Sequence, residues 1–91
     1  MRYRYEATET FWRKFYALPS HQKESVREKW QIFKIDPFDG RLGTHKINSL
    51  SARMRKTVRA VVIEGDLRAV FVIDGDLVTT IDIGGHPIYR T

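Results

Sequence analysis

The sequence predicts an α+β fold in one small domain spanning residues 1–91: an N-terminal helical hairpin packed on a twisted antiparallel β-sheet. Two observations carry this. Residues 57–83 form three apolar runs rich in Val, Ile, Phe and Thr, separated only by Gly65-Asp66 and Gly75-Asp76. Upstream, Phe11, Phe15 and Leu18, then Val26, Trp30 and Phe33, recur at helical spacing on either side of Pro19.

The sheet is the best specified part. Gly at the first central position of a two-residue loop suits a type II′ hairpin turn, whose twist matches that of the flanking strands. Strands are expected over 57–64, 67–74 and 77–83. Such turns pair Glu64 with Leu67 and Asp74 with Leu77. Counted back without interruption, Arg68 falls opposite Ile63 on one side and Ile83 on the other. By alternation Arg68, Val70 and Val72 share a face with Arg59, Val61 and Ile63. The other face takes Leu67, Ala69, Phe71 and Ile73 with Ala60 and Val62. His86, three residues after Ile83, then lies at Arg68's end of the sheet.

Thr8 is placed to cap a first helix starting at Glu9, and Ser20 to cap a second. Pro19 breaks the chain between them, and Asp36-Pro37 stops the second helix, because a residue before proline avoids the helical region. Aromatic residues 11, 15, 30 and 33 are read as the seam between hairpin and sheet rather than as a base-stacking surface. Arg2–Glu6 alternates and suits a further short strand. Residues 36–56 read as a long connection with turns at Gly40 and Gly43 and a strand start at His45-Lys46-Ile47.

Charge and composition narrow the function. The chain has 16 Lys+Arg against 11 Asp+Glu, a net charge of +5, which favours polyanionic partners, nucleic acid first. Arg53, Arg55, Lys56 and Arg59 cluster in sequence and suit phosphate contacts, although such a run is also what a solvated face looks like. There is no cysteine, hence no disulfide and no thiolate zinc site. The N-terminal residues lack an apolar signal core and no run is long enough to span a bilayer, so a cytoplasmic location without membrane contact is expected. Asp66, Asp76 and Asp82 are too scattered for a metal cluster, and no P-loop is present.

The order of elements and several short motifs resemble the RelE/ParE superfamily of bacterial toxins. The residues that carry the likeness are Gly65-Asp66-Leu67-Arg68-Ala69-Val70-Phe71 and the ending Asp82-Ile83-Gly84-Gly85-His86-Pro87-Ile88-Tyr89-Arg90. Leu42 with His45-Lys46-Ile47 and the two N-terminal helices extend it over nearly the whole chain. The resemblance implies the toxin of a type II toxin–antitoxin pair. In its RelE branch this is a metal-independent endoribonuclease that cuts messenger RNA on the ribosome, with no cofactor. In its ParE branch it is a DNA gyrase poison that acts by binding, without nuclease chemistry. A third reading is a basic domain that only binds RNA or a partner. Both toxin branches imply a cognate antitoxin, acidic and partly disordered, that wraps the basic surface.

Matched residue by residue, the resemblance points to Arg68, His86, Tyr89, His45 and Arg59 as catalytic candidates. Lys46, Arg53, Arg55, Lys56 and Arg90 are the RNA-binding candidates. The paired lysines of some members are not reproduced: Arg59 stands in the place of one and Val61 in that of the other. The chemistry suits these residue types. Imidazole changes protonation near neutral pH and can act as base or acid. A guanidinium can hold a phosphate by two hydrogen bonds in the transition state. Tyr89 can stack on a base. The competing structural roles are a salt bridge from Arg68 to Glu64 or Asp66, a strand-ending role for His86 and plain solvation for His45. His21, at a helix start, is read as structural.

Overall fold

The fold, a computed structural model, describes residues 2–85, 87 and 88. The candidates His86, Tyr89 and Arg90 lie outside the described residues. The described elements are β1 (Arg4–Ala7), α1 (Glu9–Tyr16), α2 (Ser20–Phe33), a 3₁₀ turn (Gly40–Leu42), β2 (His45–Lys46), α3 (Asn48–Met54), β3 (Val58–Glu64), β4 (Leu67–Asp74) and β5 (Leu77–Gly84). The strands form one five-stranded sheet in the order β1-β5-β4-β3-β2. No helix among the described residues is long and apolar enough to cross a membrane.

The meander forms as expected. Gly65 and Gly75 take φ of +47° and +62°, while Asp66 and Asp76 keep negative φ, the pattern of a type II′ turn. Glu64 pairs with Leu67 and Asp74 with Leu77. The outer strands run differently from one another: β2 pairs antiparallel with β3, whereas β1 lies parallel to β5 and makes the sheet mixed. Arg4 anchors β1. Its guanidinium donates to both Asp76 carboxylate oxygens at 3.0–3.2 Å, which holds the Asp76 carboxyl below its ordinary value.

Two bulges change the expected register. Between Val62 and Glu64, Ile63 is an extra residue, so Arg68 lies opposite Val62 and not Ile63. In β5, Ile81 is extra between Thr80 and Asp82, so Arg68 lies opposite Gly84 and not Ile83. Each bulge reverses the alternation beyond it. Arg68, Val70 and Val72 therefore share a face with Val62, Ala60 and Val58. Leu67, Ala69 and Phe71 share the other with Ile63, Val61 and Arg59. The expected grouping of Arg59 with Arg68 is thus wrong: the two arginines lie on opposite faces. The physical reason lies at Ile63 and Leu67, which both bury in one core only when the extra residue is present.

That first core lies under the helical hairpin. Phe11, Phe15 and Phe33 pack on Val61, Ile63, Leu67, Phe71 and Ile83, with the Phe33 and Phe71 rings edge-on at 5.0 Å. The expected helical seam holds for these residues, but Trp30 is 40% exposed and belongs to its rim. Thr8 caps α1 through its hydroxyl, which accepts from Phe11 N–H at 3.2 Å and donates to Ile81 O at 2.9 Å. Ser20 does not cap α2. Pro19 takes the cap position with extended backbone, and its carbonyl accepts from Gln22 and Lys23 N–H.

The second core lies on the opposite face of the sheet from the hairpin. The connection 36–56 contains α3, whose Leu50 packs with Ile47 and Ile88 on Val58, Ala60, Val70 and Val72. Buried Ser51 joins α3 to β3: its hydroxyl accepts from Val58 N–H at 2.8 Å and lies 3.3 Å from Val58 O.

Candidate functional site

Arg68 stands at the start of β4, between Val62 on β3 and Gly84 on β5, at the end of the face that α3 partly covers. Its Nη1 donates to the carbonyls of Gly65 at 2.6 Å and Leu67 at 3.3 Å. Among the described residues no ion pair joins it to Glu64 or Asp66. Glu64 instead sits 3.9 Å from His21 Nε2 on the hairpin side. Among the described residues the guanidinium is therefore oriented by backbone oxygens and meets no carboxylate, and its fork of N–H donors suits an anion.

His45 shares that face. It pairs with Ala60, which lies two residues from Val62 along β3. With β3 between them, the Cα atoms of His45 and Arg68 are about 12 Å apart by strand spacing and rise. His45 is exposed, and its Nδ1 lies 2.8 Å from Gly43 O. A carbonyl oxygen can only accept, so that contact assigns Nδ1 as the donor. Gly43 is required here. Its φ is +59°, and a Cβ would stand 3.2 Å from the Val62 side chain.

The chain leaves β5 through a close-packed passage. A Cβ on Gly84 would meet Ile88 Cγ2 at 2.7 Å, and one on Gly85 would meet Asp66 Oδ2 at 2.7 Å. Ile88 N–H donates to Gly85 O at 3.1 Å, and the Ile88 side chain is buried in the second core. Gly85 thus lies against the β3–β4 turn, and Ile88 against Gly84, the strand partner of Arg68.

Other candidates are not brought to this point. Arg53, Arg55 and Lys56 are exposed around the C-terminal end of α3, where Arg55 takes φ of +55°. Lys56 pairs with Asp74 at 3.6 Å, beside the Val58–Val72 end of the strands. That end is about 13 Å along β3 from the Arg68 row. Arg59 and Lys46 face each other across β3 and β2 on the hairpin side, with the Arg59 guanidinium 5.1 Å from the centre of the Phe38 ring. Phe38 was not among the residues singled out in the sequence. Its only signal there is an aromatic between two turn-forming aspartates, Asp36 and Asp39. Among the described residues no three His, Asp or Glu side chains converge as a metal site would need.

The hairpin side also carries an apolar groove of about 500 Å³, lined by Tyr5, Phe11, Trp12, Tyr16, Arg27 and Trp30 among others. Trp12 and Tyr16 are 45% and 66% exposed, a large aromatic surface left open to solvent.

Among solved structures, a chain of the archaeal RelE–RelB complex from Pyrococcus horikoshii OT3 superposes with a TM-score of 0.72 at 13% sequence identity. The match covers 93% of this chain and 96% of that one. No family model matches the sequence, and no curated protein matches it. The chain has a RelE-like fold.

Proposed function

We propose that the chain is the toxin of a toxin–antitoxin pair and a metal-independent endoribonuclease that cuts messenger RNA on the ribosome. The observation that carries this reading is Arg68: within a RelE-like fold, its guanidinium is held by backbone carbonyls and neutralised by no described carboxylate, on the same face as His45. In the reaction a base takes the proton of a ribose 2′-hydroxyl, whose oxygen attacks the neighbouring phosphorus. The bond to the 5′-oxygen breaks, that oxygen takes a proton from an acid, and a cyclic phosphate remains. Arg68 stabilises the charge that builds on the phosphate oxygens. His45 and His86 are the imidazoles for the two proton transfers, and Tyr89 is the residue for stacking on a base. Arg59 is left out of this constellation because it lies on the other face. Arg53, Arg55 and Lys56 serve the RNA backbone at a distance from the cut, and Arg90 is the further residue assigned to RNA binding.

The partner that goes with this reading is an acidic antitoxin, its apolar side chains seated in the groove of Trp12, Tyr16 and Trp30. The test is a cell-free translation reaction programmed with one defined message, with new 5′ ends mapped by primer extension. Codon-spaced cuts on ribosome-bound message are expected. Arg68→Ala should lower their yield by about 10²- to 10³-fold at unchanged melting temperature. Intact message with wild-type protein refutes the reading, and gyrase-dependent DNA breaks would put the ParE-type alternative in its place.

A further inference from the structure

The loop between α2 and the 3₁₀ turn holds an aromatic ring outward by construction. Pro37 is fully buried, and its carbonyl accepts the Thr44 hydroxyl at 2.6 Å. The Asp36 carboxylate accepts Phe38 N–H at 2.9 Å, and Asp39 accepts from Arg41 N–H at 2.9 Å. Between these ties Phe38 remains 47% exposed. Its ring is backed by the Arg59 guanidinium, and Lys46 is Arg59's direct cross-strand neighbour. Among the described residues neither cation pairs with a carboxylate.

We propose that Phe38, Arg59 and Lys46 form a subsite for single-stranded RNA, in which a base stacks on Phe38 and the flanking phosphates meet Arg59 and Lys46. A half-exposed ring beside two cations that pair with no described carboxylate matches the alternating π-faces and negative charges of an unpaired strand. A duplex offers the phosphates but keeps its bases stacked away. A partner's β-strand finds little here, because β2 has only two residues to pair with. An acidic peptide would answer the charge and leave the ring without a stacking partner. The subsite is on the face opposite Arg68, yet the two are connected at the sheet edge. His45 and Lys46 are consecutive on β2 and so address opposite faces. An RNA strand passing round that edge meets the stacking subsite first and the Arg68 face next.

The inference shares with the proposed function only its ligand, and an uncleavable probe separates the two. Fluorescence anisotropy with a labelled 2′-O-methyl RNA of about 12 nucleotides, single-stranded or in duplex, measures binding without cutting. The wild-type chain should prefer the single strand. Phe38→Leu, which keeps apolar bulk and removes the ring, should weaken single-strand binding about ten-fold or more at unchanged melting temperature. Lys46→Ala should reduce the salt slope of binding by about 0.7. Wild-type affinity in Phe38→Leu overturns the proposal, and so does equal affinity for single strand and duplex. Either result leaves the cleavage assay unaffected.

Discussion

Replacing Gly84 by alanine tests how Ile88 packs against the end of β5. The new Cβ would stand 2.7 Å from Ile88 Cγ2, roughly 1 Å inside a normal carbon–carbon contact. Backbone strain is not the issue, since Gly84 is not among the residues with positive φ. The isoleucine branch is stiff at χ1, and Ile88 is only 6% exposed among Val58, Ala60, Val70 and Val72, so it must turn out or push its neighbours. Overpacking of this kind costs about 1–3 kcal/mol. Reduced freedom of the unfolded chain returns ~0.4–1 kcal/mol. The net loss is then about 1–2 kcal/mol, and in a domain of this size it lowers the melting temperature by roughly 5–15 °C. Ile88→Ala alone should cost about 2–5 kcal/mol. In that background Gly84→Ala should cost nothing, because the colliding methyl is gone. The cycle therefore shows a coupling above about 1 kcal/mol, readable by thermal and urea denaturation of the four proteins. An additive cycle, or a single Gly84→Ala variant that melts with the wild type, refutes the packing argument.

Two further outcomes follow from single contacts. Ser51→Ala leaves the buried Val58 N–H without its acceptor, so the urea midpoint should fall by the equivalent of ~1–3 kcal/mol at unchanged m-value. The Arg41 guanidinium and backbone N–H hold the Asp39 carboxyl down to about 2 from its ordinary 3.8. A carboxyl depressed in the folded state contributes its stabilisation above the unfolded value and loses it as the pH falls towards the folded one. The loop contact should thus weaken between about pH 3.8 and 2, seen as an Asp39 carboxyl NMR midpoint near 2 that Arg41→Ala moves back towards 3.8. A midpoint already at 3.8 in the wild type would remove this account of the loop.

The meander was legible because its signals are local. Gly65-Asp66 and Gly75-Asp76 set turn type and the pairing nearest each turn, and Thr8 marked the start of α1 by its own hydroxyl chemistry. What lay further from the turns was not. Ile63 and Ile81 are apolar β-branched residues in a sheet covered on both faces, so no break in polar alternation marks them as extra. The error in facing that follows is what grouped Arg59 with Arg68. The helix α3 was hidden for a different reason. Its sequence, NSLSARM, has weak helix formers at its start and only Leu50 as a buried apolar anchor. Of the candidate site, Arg68 and His45 were readable through the resemblance and stand on one face. Phe38 was not, because what makes it useful is the guanidinium behind it, which the loop sequence cannot show.

The bulge at Ile63 also explains why the cations divide as they do. Alternation along β4 fixes Arg68 opposite to Leu67 and Phe71, whatever β3 does. The bulge decides which β3 residues join it. Ala60 and Val58 now lie beneath Leu50 of α3, where both are fully buried. An unbroken register would put Arg59 on that face and enclose a guanidinium in an apolar core without a carboxylate, a cost far above that of one irregular pair in the ladder. The same extra residue that keeps the second core apolar thus sends Arg59 to the opposite side, where Phe38 covers it at the sheet edge. The cleavage chemistry proposed for Arg68 and the strand capture proposed for Phe38 are then not competing uses of one patch. On that proposal they are two ends of a path around β2, whose consecutive His45 and Lys46 give one side chain to each face.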